Sequence, residues 1–237
     1  MHPAYACGVS FFLLSSRSRL TARDLPRFQG ATLFHRIARV VCAAECLPRK
    51  ELFESWEVAR RTRRRLRGGR IVDLACGHGL VAYLMLILDD RSPGALAVDP
   101  HLPPSAAQLA EAFTAEWPRL KGRVELIARP LDEVEVLKGD VVVSAHACGP
   151  LTDQVLSKAL NARAAVAVLP CCHATGTGDQ GGLGGWLDPA LAMDATRAAR
   201  LRAHGYEVFT QSIPEAITPK NRLLLGRPPA STSELER

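Results

Sequence analysis

The chain has 237 residues, 47% hydrophobic and 23% charged, with a formal charge of +6 and a pI near 9.1. That length holds one large domain, or one domain with a small appendage, and the composition excludes a disordered or fibrous chain. The basic balance permits a polyanionic partner without requiring one. Seven cysteines, an odd number in a chain this long, argue against a disulfide framework and for a reducing, cytoplasmic setting.

The N-terminal stretch "MHPAYACGVSFFLLSSRSR" carries an apolar run over 9–14 with no charged region before it. Such a run is too short to span a bilayer and lacks the layout of a signal peptide. Residues 1–24 are therefore expected to be a disordered extension or to reflect a misassigned start codon. Residues 25–68 read as a helical extension. Leu33, Ile37, Val40, Val41 and Ala44 recur at helical spacing, and Leu47-Pro48 breaks the pattern. The stretch "RKELFESWEVARRTRRRLR" then continues as a second helix up to Gly68-Gly69. From 69 to 227, short β-branched runs alternate with longer helical stretches, so strands are expected over 70–75, 95–99, 124–128, 140–145, 164–169, 206–211 and 222–226. The segments between the first six are long enough for crossover helices, whereas "SIPEAITPKN" before the seventh is not. The prediction is an α/β domain with a seven-stranded, mostly parallel sheet whose last strand is antiparallel. The apolar run over 80–88 stops at Asp89-Asp90, so no membrane span is expected. The tail over 228–237 is expected to be disordered.

The stretch "RIVDLACGHGLVAYL" runs from a strand through a small-residue turn into a helix. In open α/β sheets ligands bind beyond the carboxyl ends of the strands. Gly77 and Gly79 let the backbone turn sharply beside a helix N-terminus. Twenty residues after Gly79 the second strand ends in "AVDP", which places Asp99 to accept hydrogen bonds from ribose hydroxyls. The same letters, "GHGLVA", satisfy a dinucleotide pattern, which keeps an NAD-dependent Rossmann oxidoreductase as a rival. Asp73 inside the strand, where that fold prefers apolar residues, and the reversed last strand argue against it. A glycine turn with no ligand is the bland alternative, and the correctly spaced acid argues against it.

"VDLACGHG" followed by "AVDP" resembles motifs I and II of class I S-adenosylmethionine-dependent methyltransferases. "SAHACGPLTD" and "LPCCH", with "LPRKELFESWE" and "ITPKNRLLLG", resemble a subgroup that includes the tRNA acceptor-stem 2′-O-methyltransferases. The resemblance implies a Rossmann-like methyltransferase sheet and S-adenosyl-L-methionine as cofactor. It implies that Asp73, Gly77 and Gly79 line the methionine portion and that Asp99 holds the ribose. Cys76 and His78 share that turn, and Ala75 stands where the family has its first glycine. The acid that often contacts adenine after the third strand is missing, which leaves Leu131 as the adenine candidate.

Cysteines and histidines cluster at the carboxyl ends of predicted strands: Cys76 and His78, His101, His146 and Cys148, then Cys171, Cys172 and His173. The bland reading is that cysteine suits tight turns. No CxxC pair and no zinc-finger spacing is present, so no metal site is expected. Methyl transfer from a sulfonium mainly requires an oriented acceptor and a route for its proton. His146 or His173 is the right type of general base for a hydroxyl. Cys148 with Cys171 or Cys172 offers the thiolate alternative used by RNA 5-methylcytosine methyltransferases, by position only. The six arginines between Arg60 and Arg67 read either as a solvated collar or as an RNA-attracting cluster beside the cofactor. The loop "ATGTGDQGGLGGW" is a gating lid or plain slack. Lys220 and Asn221 precede the reversed strand and are placed towards the substrate, with turn chemistry as their plainer role. The expectation is a cytoplasmic S-adenosylmethionine-dependent methyltransferase acting in RNA modification on a 2′-hydroxyl of tRNA or rRNA. A non-catalytic S-adenosylmethionine-binding regulator is the further alternative, and protein or small-molecule acceptors stay open.

Overall fold

The computed structural model describes residues 12–230. Two helices, α1 (Leu33–Ala44) and α2 (Arg49–Arg65), precede the sheet. There follow β1 (Ile71–Leu74), α3 (Leu80–Leu88), β2 (Ala95–Val98), α4 (Ala106–Glu116) and β3 (Val124–Ile127). The chain continues with β4 (Val141–Ser144), α5 (Pro150–Ala162), β5 (Ala165–Val168), α6 (Pro189–Ala203), β6 (Glu207–Ser212) and β7 (Arg222–Arg227). The seven strands lie in the order β3-β2-β1-β4-β5-β7-β6. β7 is antiparallel to both β5 and β6, and the other pairings are parallel. All seven expected strands are present, and the last reverses because its connection from β6 is too short for a crossover.

Strand order reverses between β1 and β4, which opens a crevice at their carboxyl ends. Strand alternation sends Ile71 and Val143 into an apolar cluster with α1, α2, α3 and α4, and Val72, Leu74 and Val142 into a second cluster with α5 and α6. Asp73 follows the parity of Ile71 and lies on the α1–α4 face, under α3. That helix, "LVAYLMLIL", is apolar on every side because it is covered on both sides, by α2 and by the sheet.

The stretch over 12–24 differs from the expected disorder, while 1–11 lie outside the described residues. Phe12 packs edge-on against Phe28 and Phe53 with centroids 6.0 and 6.5 Å apart. Leu20 is fully buried, and its N–H donates to the Leu47 carbonyl at 2.9 Å. A local reading sees only a polar Ser/Arg stretch. The backbone bonds that hold it come from the turn between α1 and α2, some thirty residues on.

The arginine cluster also differs from its RNA-facing reading. α2 begins beside the ligand end of the sheet and ends at Arg65, from which Gly68-Gly69 lead into the opposite end of β1. The cluster therefore lies away from the cofactor turn. Arg60 and Arg61 pair with Glu57, and Arg65 stacks on Phe209. Arg63 is 2% exposed and donates to the carbonyls of Met85 and Gly68 and to Ser92 Oγ.

Candidate active site

The cofactor turn is built on three residues with positive φ: Ala75 (56°), Gly77 (55°) and Gly79 (77°). Gly79 is required twice over. It caps α3 in the left-handed region, and a Cβ there would meet Leu126 and Ala97 at 3.1 and 3.2 Å. A Cβ on Gly77 would meet nothing within 4 Å, so this glycine borders open space. Ala75 holds a conformation that costs an L-residue about 1 kcal/mol. Ala75→Gly is expected to stay within about 1 kcal/mol of the parent, because relieved strain offsets the greater freedom of the unfolded chain. Ala75→Val is expected to lose about 1–3 kcal/mol. Urea denaturation of both variants checks this pair of outcomes.

Two carboxylates organise the turn. Asp99 Oδ2 accepts from the Gly77 N–H at 3.1 Å and Oδ1 from the His101 N–H at 2.9 Å. A carboxylate has about four acceptor sites, so both oxygens keep capacity for hydroxyl donors. Asp73 is 1% exposed and accepts from the Ala82 N–H at 3.2 Å, capping the first turn of α3 from the strand below. Burial pushes its carboxyl up to about 8, with further upward pressure from Asp99 and Glu51. Glu51, in the first turn of α2, is itself pushed up to about 7 by burial and by Glu54. Glu51 and Glu54 add to the acidic wall although they precede β1 by some twenty residues. The available signal was an i,i+3 acid pair on the helix face that buries Leu52, Ser55 and Val58. Carboxyls raised in this way ionise most readily beside a cation.

The remaining turn residues are held from several sides. His78 Nε2 lies 2.9 Å from Ser105 Oγ and Nδ1 lies 3.9 Å from Glu51, while burial lowers its pKa. Cys76 is buried, and burial together with Asp73 and Asp99 raises its thiol. Leu131 is buried and belongs to the second apolar cluster.

Across the switch point, β4 delivers His146 and Cys148. His146 is half-buried, and burial lowers its pKa; Glu54, Lys50 and Asp99 are the charges it feels. The charge of His146 also lowers the pKa of His78. Cys148 meets Cys171 with sulfurs 3.1 Å apart, and Cys172 lies 3.9 Å from Cys171. His173 stands apart from this group. Its ring is buried and Nε2 lies 2.8 Å from Asp194 on α6, a carboxylate that also accepts from Arg197 and Arg222. Lys220 is exposed in the β6–β7 hairpin at the ligand end of the sheet. Asn221 closes that hairpin, its side-chain amide donating to the Ile213 carbonyl at 3.1 Å.

The doubly wound sheet, the glycine turn and the carboxylate at the end of β2 define an S-adenosylmethionine-dependent methyltransferase with a Rossmann-like fold. The sequence profile of a family described as a methyltransferase domain matches residues 51–176, just over half of the chain, and the protein belongs to that family. Among solved structures it is similar to an O-methyltransferase family protein from Burkholderia thailandensis, at 18% identity and a TM-score of 0.46, over 88% of this chain and 68% of that one. It is also similar to precorrin-6y C5,15-methyltransferase from Geobacter metallireducens, at 12% identity and a TM-score of 0.48, over 74% of this chain and 87% of that one. A third similarity is to tRNA (uracil-54, C5)-methyltransferase from Pyrococcus abyssi in complex with S-adenosyl-L-homocysteine, at 15% identity and a TM-score of 0.44, over 74% of this chain and 38% of that one. No curated protein matches. No helix among the described residues is long and apolar enough to cross a membrane.

Proposed function

We propose that this chain methylates a hydroxyl group, with an RNA 2′-hydroxyl of tRNA or rRNA as the acceptor and His146 as the general base. The observation that carries the reading is the position of His146, at the end of the strand next to the cofactor turn and in an environment that keeps its imidazole neutral. The bound cofactor supplies a methyl group on a sulfonium. Asp73, Glu51 and the Ala75–Gly79 turn hold its cationic end, and Asp99 accepts from its ribose. His146 orients the acceptor hydroxyl and takes its proton. His173, pinned by Asp194, serves to anchor the loop after β5. Burial raises the thiols of Cys148 and Cys171, which disfavours either as a thiolate nucleophile and supports the hydroxyl route. Trp186, 88% exposed on the glycine-rich loop after β5, supports an RNA acceptor by offering a stacking face. Lys220 is the nearest exposed cation of the hairpin for a phosphate.

Labelled S-adenosylmethionine incubated with fractionated RNA, protein and small-molecule pools tests the acceptor class; label confined to protein or small molecules overturns the RNA assignment. Asp99→Ala is expected to weaken cofactor binding by about 1–3 kcal/mol, the scale of a lost charged hydrogen bond. Unchanged affinity in calorimetry, or tight NADH binding instead, would remove the ribose role.

A pH dependence follows from the buried acids. A carboxyl raised to about 8 in the free protein is mostly protonated at pH 7, and a cationic ligand needs it ionised. Binding should release a proton, so affinity should rise up to about tenfold per pH unit between pH 6 and 7.5. The sign for stability is opposite in the free protein. The native state holds a proton that the unfolded state has lost above its ordinary value, so stability falls as pH climbs towards 8. Calorimetry in buffers of different ionisation enthalpy at pH 7 reads the proton count directly; zero release would contradict a role for Asp73 beside the ammonium.

A further inference from the structure

Three sulfurs that are distant in sequence meet beside the site. Cys148 follows β4, while Cys171 and Cys172 follow β5, and all three Sγ atoms lie within 4.8 Å of one another. A zinc ion binds thiolates at about 2.3 Å, which at tetrahedral angles sets sulfurs about 3.8 Å apart. The observed spacings of 3.1 and 3.9 Å bracket that edge. The loops carrying these residues are fixed by their own bonds. The Gly149 N–H donates to the Cys172 carbonyl at 3.0 Å, and Thr152 Oγ1 donates to the Ala147 carbonyl at 2.7 Å. Packing does not account for the cluster, because Cys148 and Cys172 are exposed and bury little apolar surface.

We propose that Cys148, Cys171 and Cys172 form a three-thiolate site for a thiophilic divalent cation, zinc in the first instance, with a fourth position open to solvent. Binding replaces three S–H bonds by three metal–sulfur bonds and releases three protons to the buffer, with no change of oxidation state. The resulting site carries one negative charge, which the exposure of Cys148 and Cys172 leaves to solvent. Soft ligands and the absence of carboxylates from the cluster favour zinc over magnesium or calcium. The open position matches sites that keep room for water or a substrate atom rather than closed structural ones.

The test uses the full chain, purified reduced, stripped with a chelator and titrated with Zn²⁺ and with Co²⁺, whose sulfur-to-cobalt absorption reports thiolate ligation. One metal ion per chain and a charge-transfer band are expected. Cys172→Ser, at an exposed position that leaves the core alone, is expected to weaken affinity by roughly a hundredfold or more, above the range for losing an outer-sphere partner. Cys171→Ser should do the same, with circular dichroism confirming the fold. Metal uptake no greater than that of the Cys148→Ser/Cys171→Ser/Cys172→Ser triple variant overturns the proposal. So does a Cys148–Cys171 disulfide whose reduction restores no metal uptake. Neither readout depends on methyl transfer, so a failure here leaves the hydroxyl-methylation reading untouched.

Discussion

Replacing His146 by alanine is expected to lower methyl transfer to the native acceptor by about 10²–10⁴-fold while leaving the S-adenosylmethionine Kd nearly unchanged. The asymmetry follows from where the ring sits. His146 is carried by β4, on the acceptor side of the crevice, while the cofactor turn and Asp99 are carried by β1 and β2. On the proposed roles, loss of the imidazole removes the base and leaves the carboxylates of the glycine turn in place. Burial lowers the pKa of His146, so the ring is unprotonated at pH 7 and ready to accept a proton. The rate should fall on acidification, with its midpoint below the ordinary histidine value. A plain positioning role would leave no such limb in the profile. Turnover within a few-fold of the parent in His146→Ala would overturn the assignment. So would a covalent adduct, stable to denaturation, trapped with the acceptor in Cys148→Ser.

The second large effect lies at the other end of the molecule. Arg63→Ala is expected to destabilise the fold by about 3–5 kcal/mol, since it removes the buried cation beside Asp89, which keeps only the more exposed Arg91, and leaves the Met85 and Gly68 carbonyls and Ser92 without their shared donor. The Arg63 and Asp89 side chains are both 3% exposed, 3.6 Å apart. The Arg63 guanidinium ties three segments together through Met85, Gly68 and Ser92, and Asp89 accepts from the Gly68 N–H at 2.8 Å. Arg64→Ala, one residue on at an exposed position, should change stability by less than about 0.5 kcal/mol. Urea denaturation of the two variants side by side separates a structural cation from a solvated one. Equal, small effects would return Arg63 to the solvated collar.

The strands were legible in the sequence because each is a short apolar run bounded by turn residues, and because connection length alone dictates which strand reverses. The glycine turn was legible for a similar reason: Gly77, Gly79 and Asp99 carry local backbone requirements that spacing reveals. What could not be read was convergence. Arg60 to Arg67 look alike as letters, but helix geometry buries Arg63 and leaves Arg64 exposed. Cys148 and Cys171 lack every known spacing because their meeting depends on β4 and β5 being neighbours. His146 and His173 are chemically equal in the sequence; only the fold sets one after the strand beside β1 and pairs the other with Asp194. Glu51 and Glu54 read as ordinary helix surface until α2 is laid over the strand ends.

The placement of α2 reaches beyond the site. One end of this 17-residue rod carries Glu51 beside His78 of the glycine turn, and the other carries Arg63 in its buried anchor. Its apolar flank shares a single core with α3 and the sheet. A chain trimmed to begin at Arg70 would retain every strand and the whole glycine turn. It would nonetheless strip one flank of the most apolar helix in the protein and leave the cationic end of the cofactor facing water. The first helices thus behave as a keystone, and shortening the protein to its recognisable motif would yield aggregation instead of a minimal enzyme.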